Sequence, residues 1–551
     1  MKSKVLTTIL VVAGLVASLL VIFPSGREYC YQDQCGVMFW GAHEHDAIWH
    51  LAVSNTLFSN FPFEMPNMSE SMMSGYNYLL DIVIATTSFV TRIPASNLYF
   101  QIIPILWFGL FVWLSSKFAK QYHKSKYYLP ALLFFSFFGS SLGYLITLKN
   151  AGSFWGSSSI LSMQPLQNLL NLQFSLSLLP FLAILIGLVN KRRSVKDYVL
   201  YGIYAFIAIG LKLYTGVGIV MLLIVDWVIR AIRRKDPILL STPKLLITGL
   251  FSILAVIIFY APFSQSTGAP FLLDPMATVN PIVEDSSLLY LPKTAERLYS
   301  LRGVKLVVIE LFVLGLFLVF NFGSRIFAAF GLAGKQEPNE IREIVGLTAI
   351  IMLILSILLT QRGVWWNTVQ FLYVSLFLFN ILAAEGLVKI FQLPKFGIVL
   401  GVTIVLITIP TNIDVMRSFS NFPGNSYISS NELSALEFLK KQDPGIVLTG
   451  GLQLRGSKIA LPPLEATYDT TYVSAYSHKQ SYLSDLIQLR LTNIDYHERL
   501  EMVSRYDCEV LEDVKYLYEV NESLYVSNYQ DCGRGLETIY SNDTASVYLV
   551  R

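Results

Sequence analysis

Apolar runs of about 20 residues, the length that spans a bilayer's hydrocarbon core, recur along the chain. They lie at 4–23, 97–117, 128–148, 172–190, 197–212, 214–231, 244–262, 304–322, 343–361, 366–390 and 396–412. Each predicts a membrane-crossing helix, and the short pair within 197–231 predicts a tight helical hairpin. The first run reads as a retained helix rather than a signal peptide, because it is long and no small-x-small site ends it. A weaker stretch, "YNYLLDIVIATTSFVTR" (76–92), contains Asp81 and sits at the lower edge of spanning length. Beyond 412 the pattern turns polar. "ELSALEFLKKQDPG" predicts an amphipathic helix with a Pro-Gly stop, and "GIVLTGG" and "LYVSN" predict strands. "LETIYSNDTASVYLVR" predicts two strands joined by a turn at Asn542-Asp543.

Positive charge orients these segments. Basic loops occur at 117–126, 190–196, 230–235, 325–335 and 389–395. Placing them in the cytoplasm with residues 1–4 lets the spans alternate only if 76–92 does not cross, which gives about 11 spans. Residues 76–92 then form a juxtamembrane helix; the alternative is a twelfth span, with one loop breaking the charge rule. The expected architecture is an α-helical polytopic protein of the plasma membrane with a cytoplasmic N-terminus. Residues 1–412 form the membrane part, with 24–96 as its first external loop. Residues 413–551 form a small extracytoplasmic α/β domain.

Composition agrees: 54% of residues are hydrophobic and 14% charged, and mean hydropathy is +0.53. Soluble domains carry about 25% charged residues. The net charge is only +3, and the absence of a basic domain argues against a nucleic-acid partner. The four cysteines fall in two close external pairs, Cys30 with Cys35 and Cys508 with Cys532, so two disulfides are expected.

The chemistry gathers in "GAHEHDAIWH" (41–50), which opens a predicted amphipathic helix over 46–61. Ile48, Leu51, Ala52 and Phe58 make its apolar stripe. Asp46, His50 and Ser54 recur every four residues and share a polar face, expected to line a water-filled cavity. Asp46 reads either as an N-cap or first-turn acid or as a general base. Glu44 reads either as a solvated loop acid or as its partner. His43, Glu44, His45 and Asp46 are ligand types for a divalent metal, although H-x-H-x₄-H is not a common zinc spacing.

A long first external loop with an acidic pair opening a juxtamembrane helix resembles the GT-C-fold membrane glycosyltransferases. That superfamily includes the protein O-mannosyltransferases, oligosaccharyltransferase catalytic subunits and lipid A aminoarabinose transferases. Its members carry DxD-like pairs in this loop, and Glu44-His45-Asp46 is an ExD. "GYNYLLDIVIA" is similar to the second juxtamembrane helix, and "IGLKLYTGVGIVMLL" to the short helical hairpin with a lysine at its turn. The tail from "LPPLEATYDTTYVSAYSHKQSYLSD" onward resembles the terminal domain of uncharacterised prokaryotic members. "GVWWN" is not the WWDYG-type motif of the oligosaccharyltransferases, a departure from that branch.

The resemblance implies transfer of a sugar from a polyprenyl-phosphate carrier to a glycan, lipid or protein acceptor at the outer face of the cell envelope. Asp46 and Glu44 would be catalytic. His45, His50, Tyr76, Asn77 and Asp81 would contact substrate, and Lys212 and Arg362, with Trp366 nearby, would meet the leaving phosphate. A divalent metal serves some relatives and not others. Each residue also has a structural reading. Lys212 can snorkel and Arg362 can anchor beside Trp365 and Trp366; Tyr76, Asn77 and Tyr78 can form an aromatic belt, and Asp81 can pair with a lysine or arginine.

A flippase or transporter for a lipid-linked saccharide would instead gather polar residues at mid-membrane on broken helices. A non-catalytic scaffold would merely present 413–551 to partners. The topology has a direct test. A tag at Arg551 and a cysteine replacing Arg455 are expected to react from outside intact cells, and cysteines placed in 191–196 to be shielded. An inward tail would overturn the proposed orientation.

Overall fold

The computed structural model describes residues 2–155, 164–233, 238–260, 271–284, 291–332, 339–361, 365–449, 470–520 and 526–551. The protein is mostly helical. Among the described residues, nine helices are long and apolar enough to cross a membrane, rather than the expected number of about 11.

Two of the expected spans fall short of that length. The run 128–148 is divided into helices Tyr128–Phe138 and Tyr144–Ala151. The break falls at Gly-Ser-Ser-Leu-Gly, where helix propensity is lowest. Its loosened carbonyl is taken up: buried Arg325 donates from Nη2 to Gly139 O at 3.2 Å. Its Nε reaches Asn380 Oδ1 at 2.7 Å and its Nη1 reaches Gln164 Oε1 at 3.0 Å. Burying a guanidinium is costly unless its donors are satisfied, and this set of neutral acceptors satisfies them. The second short segment is Val195–Leu211, with 17 residues. It meets Leu213–Ile232 at one extended residue, Lys212 (φ −161°). Gly216 then lies so close to Ile209 that a side chain there would collide with it.

The chain divides into two compact units that do not follow its linear order. One comprises 1–21, 105–256 and 269–420; the other comprises 22–104, 257–268 and 421–551. In the first, loops expected on the cytoplasmic side meet acidic partners. Arg193 pairs with Asp226 at 2.7 Å and Arg230 with Glu340 at 3.4 Å. Arg342 and Lys389 both pair with buried Glu385.

The second unit joins the first loop to the tail. Strands β1 (Arg27–Tyr31) and β2 (Gln34–Phe39) form an antiparallel hairpin, and Cys30 and Cys35, opposite one another, are bonded. β2 pairs in turn with Ser426–Ser429. Gly36 permits this close approach, since a Cβ there would strike the Ile428 carbonyl. A four-stranded sheet runs in the order Leu536–Ser541, Ala545–Val550, Tyr516–Val520, Val447–Thr449, the last pair parallel.

The helix Ser430–Lys441, which the pattern of the tail anticipates, starts on a capping box between Ser429 and Glu432. The terminal hairpin also forms, with Asn542 Oδ1 accepting from the backbone of Thr544 and Ala545. "LYVSN" is not a strand in its described part: Val526–Tyr529 is a 3₁₀ turn, and the strand is the preceding "YLYEV". Cys508 is bonded to Cys532.

Helix α1 (Lys2–Ile22) is followed by α2 (Asp46–Thr56) and α3 (Leu79–Thr91). With 13 residues, α3 is shorter than a span, and it leaves Val83, Phe89 and Val90 exposed. That is the outward apolar surface expected of a helix lying at a bilayer face.

Close helix packing in the first unit yields a prediction. A Cβ on Gly386 would collide with the Ala328 carbonyl, a backbone atom that cannot rotate away. Gly386→Ala is expected to destabilise by at least about 1–3 kcal/mol, the usual cost of overpacking, read as a lower melting temperature in detergent.

Candidate functional site

The site is built within the second unit around the start of α2. Gly41, at φ +55°, lets the chain turn into the 3₁₀ segment Gly41–Glu44. His45 follows as N-cap and Asp46 is the first helical residue. Asp46 is therefore a first-turn acid rather than the cap, placed where the helix dipole favours negative charge.

α2 is not a surface helix. Every residue from Ala47 to Ser54 is buried, and Phe58, expected in the apolar stripe, is exposed. α3 and the tail helix Tyr472–Ser477 both pack on it. Asn55 Nδ2 donates to Ala475 O at 2.7 Å.

The polar stripe of α2 meets a buried carboxylate instead of open water. His50 Nδ1 lies 3.0 and 3.1 Å from the two oxygens of Asp81, and Ser54 Oγ donates to the same group at 3.4 Å. Asp81 has no exposure and His50 has 2%. A carboxylate accepts only, so Nδ1 carries the proton. This leaves Nε2 to face the Tyr76 hydroxyl at 3.0 Å. Tyr99 stacks on the His50 ring and Trp49 meets Tyr76 edge-on. The partner of Asp81 is thus a histidine, where the sequence suggested a lysine or arginine. Burial raises the Tyr76 phenol well above its ordinary range, and the negative charges of Asp81 and Asp46 raise it further, so it keeps its proton. Asn77 is buried alongside.

His45 bridges two carboxylates. Its Nε2 lies 3.3 Å from Asp485 Oδ1 and its Nδ1 3.5 Å from Asp46 Oδ1. Burial opposes the charge on His45, but attraction from Asp485 and Asp46 outweighs it and holds the imidazole well above its ordinary value. Asp485 is itself fixed: it caps Leu486–Thr492 through Gln488 N and accepts from Thr471 Oγ1 at 3.0 Å.

The third histidine belongs elsewhere. His43 is fully buried, with Nδ1 3.0 Å from Ser25 Oγ and its ring edge-on to Phe100. Ser25 also accepts from Trp40 N, which ties the turn to β2. Glu44 is buried, not a solvated loop acid. Of the four proposed metal ligands, His43 is thus turned to Ser25, while His45 and Asp46 face one another. Among the described residues, no three His, Cys, Asp or Glu side chains gather to hold a metal ion. This donor set does not fit a metal centre.

The remaining candidates lie outside this cluster. Lys212, 7% exposed, and Trp366, half exposed, belong to the first unit. Arg362 lies outside the described residues. Asn67, which begins an Asn-Met-Ser sequon, is fully buried, so it is closed to glycosylation in the folded protein. Sequence reasoning missed Asp485, Thr471 and Tyr99. Asp485 does fall within the quoted tail stretch, but no spacing rule links it to His45.

Fold and site together define a polytopic helical membrane protein carrying a sheet-containing unit with two buried histidine–carboxylate pairs. No family model and no curated protein matches the chain. Among solved structures it is similar to the oligosaccharyltransferase of Archaeoglobus fulgidus. The form crystallised with Zn and sulfate aligns at TM-score 0.48 and 12% identity, covering 98% of this chain and 73% of that one. The form tethered to an acceptor peptide containing an NVT sequon aligns at TM-score 0.48 and 12% identity, covering 99% and 74%. The AglB complex with an inhibitory peptide and a dolichol-phosphate aligns at TM-score 0.44 and 12% identity, again covering 99% and 74%.

The raised His45 value sets a pH dependence. Its contribution to stability is complete below its unfolded value of about 6.5 and is lost as pH rises through the higher folded value. Asp485→Asn keeps the helix cap, since Asn caps as well as Asp, but removes the charge partner. The melting difference between wild type and this variant is expected to be largest from mildly acidic to neutral pH and to shrink toward alkaline pH. A difference that does not vary with pH would leave Asp485 as a cap alone.

Proposed function

We propose that this chain is a membrane glycosyltransferase. In this reading it moves a sugar from a polyprenyl-phosphate carrier to a glycan, lipid or protein acceptor at the outer face of the plasma membrane, with Asp46 as general base. One contrast carries the proposal: the Asp46 side chain is 48% exposed, while Ala47 to Ser54 behind it are buried. A base must reach the proton it removes. Of the two carboxylates in the Glu44-His45-Asp46 triplet, Asp46 is the one open to an incoming acceptor. His45, pinned by Asp485, sets a positive charge beside it and limits its motion.

The acceptor's hydroxyl or amide loses its proton to Asp46 as its oxygen or nitrogen bonds to the anomeric carbon. The bond from that carbon to the phosphate oxygen breaks, and polyprenyl phosphate leaves with the electron pair. In this scheme Tyr76, held by His50 and behind it by Asp81, offers its hydroxyl to the substrate, and Asn77 lines the same side. Glu44, being buried, supports the turn that presents Asp46. The residues around Asp46 do not form a metal donor set, so no step is drawn through a metal.

Asp46→Asn removes the basic oxygen and the charge at nearly constant size. Transfer from polyprenyl-phosphate sugars in isolated membranes is expected to fall about a hundredfold or more, the scale of a lost general base, with insertion and melting near wild type. Glu44→Gln is expected to lose less. If both variants transfer at full rate, the first loop is not the seat of chemistry, and a transporter of lipid-linked saccharide becomes the better reading.

A further inference from the structure

A second chemical feature lies entirely within the first unit. It is a cavity of about 350 Å³ lined by Asp274, Asn280, Glu284, Tyr299 and Thr360, with Leu298 and other apolar side chains between them. Its construction follows from the sequence. Residues 274–284 run through successive helical turns, with Ala277 N bonded to Asp274 O and Asn280 N to Met276 O. Met276, Val279, Ile282 and Val283 fall on one side and enter an apolar core with Val313, Phe317 and Leu372. Asp274, Asn280 and Glu284 fall on the other side and line the cavity.

The wall is anchored at several points. Leu272–Leu273 pairs with Leu359–Thr360, and the Asp274 and Met276 amides donate to Leu358 O and Ile357 O. Tyr299 donates to Glu284 at 2.6 Å, which fixes that carboxylate at the rim.

Two atoms point to a missing ligand. Thr360 is 2% exposed, and its hydroxyl has no hydrogen-bond partner among the described residues. Asn280 Oδ1 is likewise buried without one. A buried polar atom left unsatisfied costs about 1–3 kcal/mol, so two of them on one small cavity call for an explanation. The lining is rich in acceptors: two carboxylates, an amide oxygen and two hydroxyls, with no lysine or arginine among the described residues lining it. Such a set suits a ligand that brings several donors. The volume lies within the range of small-molecule sites, at its lower end.

We infer that this cavity is a saccharide-binding subsite, in which sugar hydroxyls donate to Asp274, Glu284 and Asn280 while the ring's C–H face rests on Leu298. The choice of a sugar over an ammonium ligand rests on the glycosyl-transfer reading.

Binding measured without transfer separates the two ideas. Methyl glycosides of glucose, mannose, galactose and N-acetylglucosamine are presented to the detergent-solubilised full chain, and saturation-transfer NMR reads contact. At least one glycoside is expected to bind. Binding is expected to weaken about tenfold or more in the Asp274→Asn/Glu284→Gln variant, as loss of charged acceptors would give, and to persist in Asp46→Asn. Should the double variant fail to fold, Thr360→Val, nearly isosteric, is expected to weaken binding without lowering the melting temperature, since it removes an unsatisfied buried hydroxyl. The inference is overturned if no glycoside binds, if the variants bind as wild type does, or if putrescine binds where every glycoside fails. None of these outcomes bears on Asp46, so the transfer reading stands or falls by its own assay.

Discussion

The backbone ladder between β2 and Ser426–Ser429 ties the opening of the chain to its last quarter. It needs a residue without a side chain at Gly36, because the Ile428 carbonyl occupies that space. With the ladder in place, α2 has a tail helix to pack against, and Asp485 comes within reach of His45. The contacts of His45 with Asp485 and of Asn55 with Ala475 depend on this joining of distant segments, while those of His43 and His50 are made within the first loop. The first loop and the tail are thus one folding unit, whatever their order in the sequence.

Three histidines within eight residues meet three different fates, decided by burial and by which carboxylate is near. His43 finds a serine and becomes part of the packing. His45 finds two carboxylates and carries charge. His50 finds one carboxylate with no exposure and a phenol on its other side. Residue type alone made all three equivalent as metal ligands. Their division follows from backbone geometry, since the 3₁₀ turn and the helix that follows it do not point successive side chains in one direction.

What the sequence makes legible follows the range of the interaction involved. Long apolar runs, the amphipathic tail helix ending before Pro444-Gly445 and the Asn542 turn are local, and the structure contains them. The split at Gly139–Gly143 is less legible, because hydropathy registers an unbroken apolar run while the freed Gly139 carbonyl is taken up by a donor distant in the chain, Arg325. α2 was misjudged for a similar reason. Its spacing describes an amphipathic helix, but within the polar stripe His50 and Ser54 are satisfied by Asp81 rather than by water, and only Asp46 is open. Asp485 carries no local signal at all. The general base candidate was legible because it needs only a carboxylate at the start of a helix; its surroundings were not.

The ladder that closes the second unit also fixes the order in which the protein is completed. β2 leaves the ribosome early and its partner strand only after all the apolar helices have been made. Until then one edge of the hairpin is a row of unpaired amides and carbonyls, a surface prone to pairing with other chains. A chain interrupted before residue 426 keeps that edge open permanently. Chain completion is thereby coupled to the concealment of an aggregation-prone strand.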